Sequence, residues 1–227
     1  MSTLTKRSPI LTIAIAMIAV MATMLAPMAV GAADDIPKAE TPVLITSAGQ
    51  GNGVLVATAL ADRVKLPYDY SDVPTSKHIA AGVGLEGFVE GEGAHREIKS
   101  TAPKGTPYKT LIVVMGVSLK GMGASGLSID TELARLKDIL DYCRANNIFV
   151  VGMHVEGAAM RGKPGTQNDN ERVIDAVVPK CDLVIVTKAG NQDGRFNELG
   201  AAHGVQVAEV SGNRDIQTIF ETMFGLK

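Results

Sequence analysis

Tryptophan is absent from this chain, and aromatic residues make up only 4% of it. Surfaces that stack nucleic-acid bases depend on aromatic rings, so a stacking platform is excluded as the main business of the protein. An excess of positive charge is also missing, since the formal net charge is −2. Without the first 33 residues, which hold Lys6 and Arg7, 20 basic residues face 24 acidic ones, a net of −4. A mildly acidic surface disfavours nucleic acid and anionic lipid as partners of the whole protein. Only two cysteines occur among 227 residues, too few for a disulfide scaffold. Hydrophobic residues are plentiful at 46%, enough to build a full core without staples.

The first 33 residues read as a targeting segment. Lys6 and Arg7 form a positive start, Ile10 to Leu25 an apolar run, and Pro27 to Ala33 a small-residue stretch with a cleavage signal near Ala32 and Ala33. The expectation is a signal peptide and an exported protein. The rival is an uncleaved leader kept as an anchor, which would be the chain's only membrane contact. There is no twin-Arg pair and no Cys beside the cleavage point. Export before folding argues against a cytosolic cofactor such as NAD, and no cofactor is expected.

Residues 34–41 read as a mobile polar linker, and 42–227 as one domain with an irregular insertion at 71–109. Short Val/Ile/Leu-rich runs at Val43–Ile45, Leu111–Val117, Ile148–Met153, Leu183–Thr187 and Val205–Val210 alternate with amphipathic stretches. Pro67–Tyr70 adds a candidate edge strand. Continuous apolar strands separated by helices predict a parallel sheet covered on both faces. The fold class is therefore α/β, a three-layer doubly wound sheet of about five or six strands in a flavodoxin-like or Rossmann-like order. Numbered along the chain, that order is 2-1-3-4-5 with a sixth strand after it. Inside 71–109, Leu85–Glu90 and Ala94–Lys99 are expected to pair as a hairpin around Glu92-Gly93. Cys143 and Cys181 fall at the end of the sheet away from the expected site, either bridged or as two buried thiols.

In the expected order the chain reverses direction between the first strand and the Leu111 strand, and ligands bind at such a switch point. Two glycine-rich loops, 46–53 and 116–126, then face each other across one crevice. The second contains G-x-G-x-x-G from Gly121 to Gly126. No acid follows about 20 residues later at a strand end, so the dinucleotide reading is weak against a plain glycine-rich connection. Met122 stands where a P-loop needs Lys, and Leu127 breaks G-x-S-x-G around Ser125. At 46–53 a flavin phosphate would suit the loop, but Tyr68 and Tyr70 are the only aromatic partners in view.

His154 and Glu156 alternate by two after the fourth strand, and His154 is the candidate general base. The alternative for His154 is a hydrogen-bonded histidine with no chemistry. Lys120, Arg161 and Lys188 each follow a different strand, and helix N-termini converge on the same rim. Cations and positive helix ends on an acidic protein point to a small anionic ligand. The candidate lining is Ser47, Gln50, Ser118, Lys120, His154, Arg161, Lys188 and Asn191. Two other readings stay open: a hydrolase or isomerase in the same crevice with His154 as base, and an envelope interaction domain that uses 71–109 as its contact surface.

Four blocks carry a resemblance: PVLITSAGQ (Pro42 to Gln50), VVMGVSLKGMGASG (Val113 to Gly126), GMHVEGAAMRG (Gly152 to Gly162) and PKCDLVIVTKAGNQDG (Pro179 to Gly194). Together they resemble an uncharacterised family of exported bacterial proteins built on a domain of unknown function. The resemblance implies an exported single α/β domain and no particular activity. The run after Gly152-Met153-His154 departs from the family pattern: it has one Arg fewer, and its acid, Glu156, is displaced.

Overall fold

A computed structural model of the protein describes residues 36–91, 93–162, 166 and 168–226. The expected leader lies outside these residues. So do Glu92 of the expected hairpin turn and Gln167, where the helix ending at Val178 was expected to begin. Among the described residues, no helix is long and apolar enough to cross a membrane.

The strands are β1 (Val43–Ala48), β2 (Tyr68–Ser71), β3 (Arg96–Ile98), β4 (Thr110–Met115), β5 (Phe149–His154), β6 (Leu183–Thr187) and β7 (Gln206–Val210). They form one seven-stranded sheet in the order β3-β2-β1-β4-β5-β6-β7. Every neighbouring pair is parallel except β2 with β3. The expected order is thus present, with one extra antiparallel edge strand drawn from the insertion.

Alternate strand residues supply two cores, because both faces of the sheet are covered. Val43, Ile45, Ile112, Val114, Val151 and Ile185 pack with α1 (Gly53–Arg63) and α7 (Asn213–Phe224). Leu44, Leu111, Val113, Val150 and Val184 pack with α4 (Ile129–Ala145), α5 (Asp169–Val177) and α6 (Arg195–His203) on the other face. Ser128 caps α4 as its sequence suggests, its Oγ accepting the Thr131 N–H at 3.2 Å.

Three expectations are corrected. Residues 36–41 are not a mobile linker: Ile36 is buried, the Ala39 N–H donates to Met223 O at 3.0 Å, and Lys38 Nζ reaches Thr222 O. The Leu85–Glu90/Ala94–Lys99 hairpin does not form beyond one antiparallel bridge at its expected turn, where Gly91 and Ala94 exchange hydrogen bonds at 3.0–3.1 Å. β3 pairs with β2 instead, because β2 offers an open edge whereas Leu85 and Phe88 are drawn into the core. The glycine-rich stretch 116–126 is not a loop throughout. Ser118 Oγ accepts the Gly121 N–H and starts a short helix α3 (Leu119–Ala124), which the buried Met122 anchors. Of the two readings open for the cysteines, the second holds: Cys143 and Cys181 are free, buried thiols. Cys181 Sγ reaches Val177 O at 3.3 Å and fills the space above Gly152, where a Cβ would lie 2.8 Å from it. Burial pushes the Cys143 thiol up to about 12 and raises Cys181 as well.

The insertion is built into the domain. Val83, Leu85, Phe88 and Tyr108 join the core on the α4 face, and a short helix α2 (Ser76–Ala80) docks through Ser76 onto Asp138 at 2.9 Å. The fully buried Asp69 ties it down, accepting from the Gly84 N–H, the Ser100 N–H and the Tyr108 hydroxyl at 2.6–3.0 Å.

Candidate functional site

Parallel pairing of β1 with β4, Ser47 opposite Val114 and Ala48 opposite Met115, brings the two glycine loops side by side at the switch point. The loops are stitched together. Gly116 N–H donates to Ala48 O at 3.0 Å, Ser118 N–H to Gly49 O at 2.7 Å, and Gly51 N–H to Gly116 O at 2.8 Å. Side chains would prevent this approach: a Cβ on Gly49, whose φ is +95°, would lie 2.7 Å from Gly116 O. Gln50 also adopts positive φ, +60°, and its amide donates to Asp72 O at 3.1 Å.

Beneath the loops lies an ion pair that residue patterns did not reveal. Glu132 is fully buried and accepts the Gly49 N–H at 2.8 Å, while Arg135 donates to both its oxygens at 2.7–2.8 Å. Arg135 also donates to Ser47 O at 2.7 Å and to Pro74 O at 3.3 Å. In the sequence the pair looks like an ordinary i,i+3 surface contact on a helix. The only available signal was a charged pair in the first two turns of a helix that follows a glycine-rich strand end.

The crevice above the stitch is filled by Glu156. Its Oε2 would lie 2.2 Å from a Cβ on Gly116, 2.7 Å from one on Gly51 and 3.2 Å from one on Gly53. Three glycines therefore form a cradle the size of a carboxylate oxygen. The cradle opens on the N-terminus of α1, where no side chain caps the helix and no acid sits in the first turn. Helix N-termini favour negative charge. Glu156 Oε2 is buried and has no hydrogen-bond partner among the described residues, and the same holds for Ser47 Oγ. Ser47 is 1% exposed and shares the α1-facing side of β1 with Ile45. Its register partner Val114 lies 3.2 Å from a Cβ on Gly53, so the hydroxyl faces the same helix end. Leaving a buried polar atom unpaired costs about 1–3 kcal/mol, so each of the two calls for a reason.

His154 and Arg161 face inward. His154 is 1% exposed; its Nδ1 lies 3.2 Å from Met115 O and its Nε2 3.2 Å from Gly157 O. Burial pushes its pKa below the ordinary imidazole range against the pull of the two carbonyls. The ring stacks on Phe196, and the Arg161 guanidinium lies 5.2 Å from the centroid of the same ring. Arg161 is held by Glu171 at 2.7 Å and Asp193 at 2.8 Å and donates to Gly190 O as well. Burial works against its charge, but these partners prevail and raise its pKa. Its guanidinium is therefore committed to structure. Asn191 is likewise occupied, donating to Glu209 at 2.9 Å and accepting the Phe196 N–H at 3.0 Å.

Of the eight sequence-derived candidates, Ser47, Gln50 and Ser118 come together at the β1–β4 crevice. His154, Arg161 and Asn191 form a buried cluster beyond β5. Lys120 and Lys188 are exposed on the rim, two strand spacings apart in the sheet order, and neither has an ion-pair partner among the described residues. His78 packs its ring edge-on against Phe88 and caps α2.

A family model described as a domain of unknown function, DUF6305, matches residues 40–224. No curated protein and no solved structure matches the chain at a significant level.

Proposed function

The chain belongs to the DUF6305 family, and from that premise we propose that it is an exported α/β domain that binds a small anionic ligand at the β1–β4 switch point. One observation carries the reading. An uncapped helix N-terminus, a glycine cradle and a buried hydroxyl without a partner converge where doubly wound folds hold their ligands. Ser47 and the α1 N–H groups would orient the anion, with Gln50 and Ser118 lining the loops around it. Lys120 and Lys188 on the rim would supply positive charge that no carboxylate pairs with among the described residues. Burial of His154, with both ring nitrogens turned to backbone carbonyls, favours binding over catalysis by that base.

The test is a thermal-shift screen of the purified chain against phosphate, carboxylates, nucleotides, flavins and divalent cations. A ligand at about 100 times its Kd adds roughly 2.7 kcal/mol of stability. Anions are expected to raise the midpoint, and Lys120→Ala with Lys188→Ala to weaken that response. A screen in which no anion moves the midpoint would remove this reading.

A further inference from the structure

Each of the other carboxylates buried in this domain has donors. Asp69 has two backbone N–H groups and a tyrosine, Glu132 has Arg135 and the Gly49 N–H, and Glu171 has Arg161. Asp72 accepts from the His95 N–H and the Tyr70 hydroxyl. Glu156 Oε2 is the exception: it is buried, it has no donor among the described residues, and it lies in a cradle made by three absent side chains. A carboxylate that belonged there structurally would be expected to have donors of its own. What holds Glu156 is the fit of one oxygen to the cradle and the positive end of α1, features that any carboxylate could use.

We infer that the α1 N-terminus is a carboxylate subsite, that Glu156 fills it as an internal stand-in, and that a ligand's carboxylate binds by taking its place. Ser47 Oγ, buried and unpartnered on the α1 side of β1 and not bonded to Glu156, is the donor that the second oxygen of the incoming group would meet. The subsite takes a planar carboxylate in preference to a tetrahedral phosphate, because the cradle is only as wide as the single oxygen it holds. Glu156 is half-buried at the end of a strand, so its side chain can turn out to water without moving the sheet. The inference draws its biological meaning from the anion-binding reading of this crevice, but its test stands apart from that reading.

The test is chemical rescue. Glu156→Ala and Glu156→Ser empty the cradle, and their midpoints are measured with acetate or propionate, with chloride and phosphate at matched ionic strength as controls. At saturating carboxylate, these variants should gain at least roughly 3 °C more than the unchanged chain does, as expected for a ligand about tenfold above its Kd. Phosphate and chloride should give no such gain, and adding Ser47→Ala should abolish it. Glu156→Gln, whose amide still fills the cradle, should not be rescued. Its chemical shifts in an NMR titration with acetate supply the comparison if either truncated variant fails to fold: strong acetate binding by Glu156→Gln would overturn the inference. Truncated variants that fold and respond equally to acetate and chloride would overturn it too. If that happened while the unchanged chain still responded to anions, the subsite would fall and the binding reading would stand. Rescue in the variants with no anion response in the unchanged chain would leave the subsite and remove the binding reading.

Discussion

His154 shows how one residue's surroundings set its behaviour. In the sequence it stands two after a glycine and two before an acid, and it reads as a base with an orienter. In the structure its ring lies between Met115 O and Gly157 O, stacked on Phe196 and shut off from solvent. Burial lowers its pKa relative to the unfolded chain, where it titrates near about 6.5. The folded state therefore prefers the neutral ring. Its stabilising contribution is present above the unfolded pKa and is lost as pH falls through it toward the lower folded value. The melting midpoint should drop between pH 7 and pH 5 by more in the unchanged chain than in His154→Gln. Asp72 acts with opposite sign: burial raises its pKa, so acidification relieves the cost of its charge. For that reason the difference between the two proteins, and not the raw curve, carries the result. Parallel curves would show that His154 contributes nothing to the pH dependence.

At the scale of elements, helix α4 does two jobs. Leu136, Ile139, Leu140 and Cys143 bury its apolar face, as their spacing predicts. Its first two turns also carry the Glu132–Arg135 pair, which holds the β1 loop through the Gly49 N–H and Ser47 O. Removing one partner of a buried pair leaves the other charge unpaired and costs about 3–5 kcal/mol. Arg135→Met should destabilise the domain by that order in urea unfolding, and pairing it with Glu132→Leu should restore much of the loss. A single change as mild as a surface substitution would mean the pair does not clamp the loop. Periodicity made α4 legible because packing repeats every turn, whereas an ion pair with backbone partners far along the chain leaves no periodic trace. The same holds for α3: its glycines look like a nucleotide loop, and only Ser118 capping and Met122 burial turn them into a helix.

At the scale of the whole molecule, the insertion and the thiols give two predictions. Deleting residues 71–109 should abolish cooperative thermal unfolding, because Leu85, Phe88 and Tyr108 belong to the core and β3 covers the β2 edge. A deleted protein that still melts as sharply as the parent would contradict that integration. Cys143 and Cys181, buried and with raised pKa values, should react with a thiol reagent only on unfolding, releasing two equivalents in denaturant and close to none before it.

The chain by itself determined the α/β class, the strand order from β2 to β7 and the place of the switch point. Those follow from apolar runs, helix periodicity and right-handed crossovers, which act over short stretches or by general rule. Tertiary structure alone decided that 36–41 and 71–109 join the core, that Arg161 and Asn191 are spent on internal partners, and that Glu156 lies in the glycine cradle. Each of these depends on which groups meet across tens of residues, and burial then turns an ordinary side chain into a paired ion, a neutral ring or an unpartnered carboxylate oxygen.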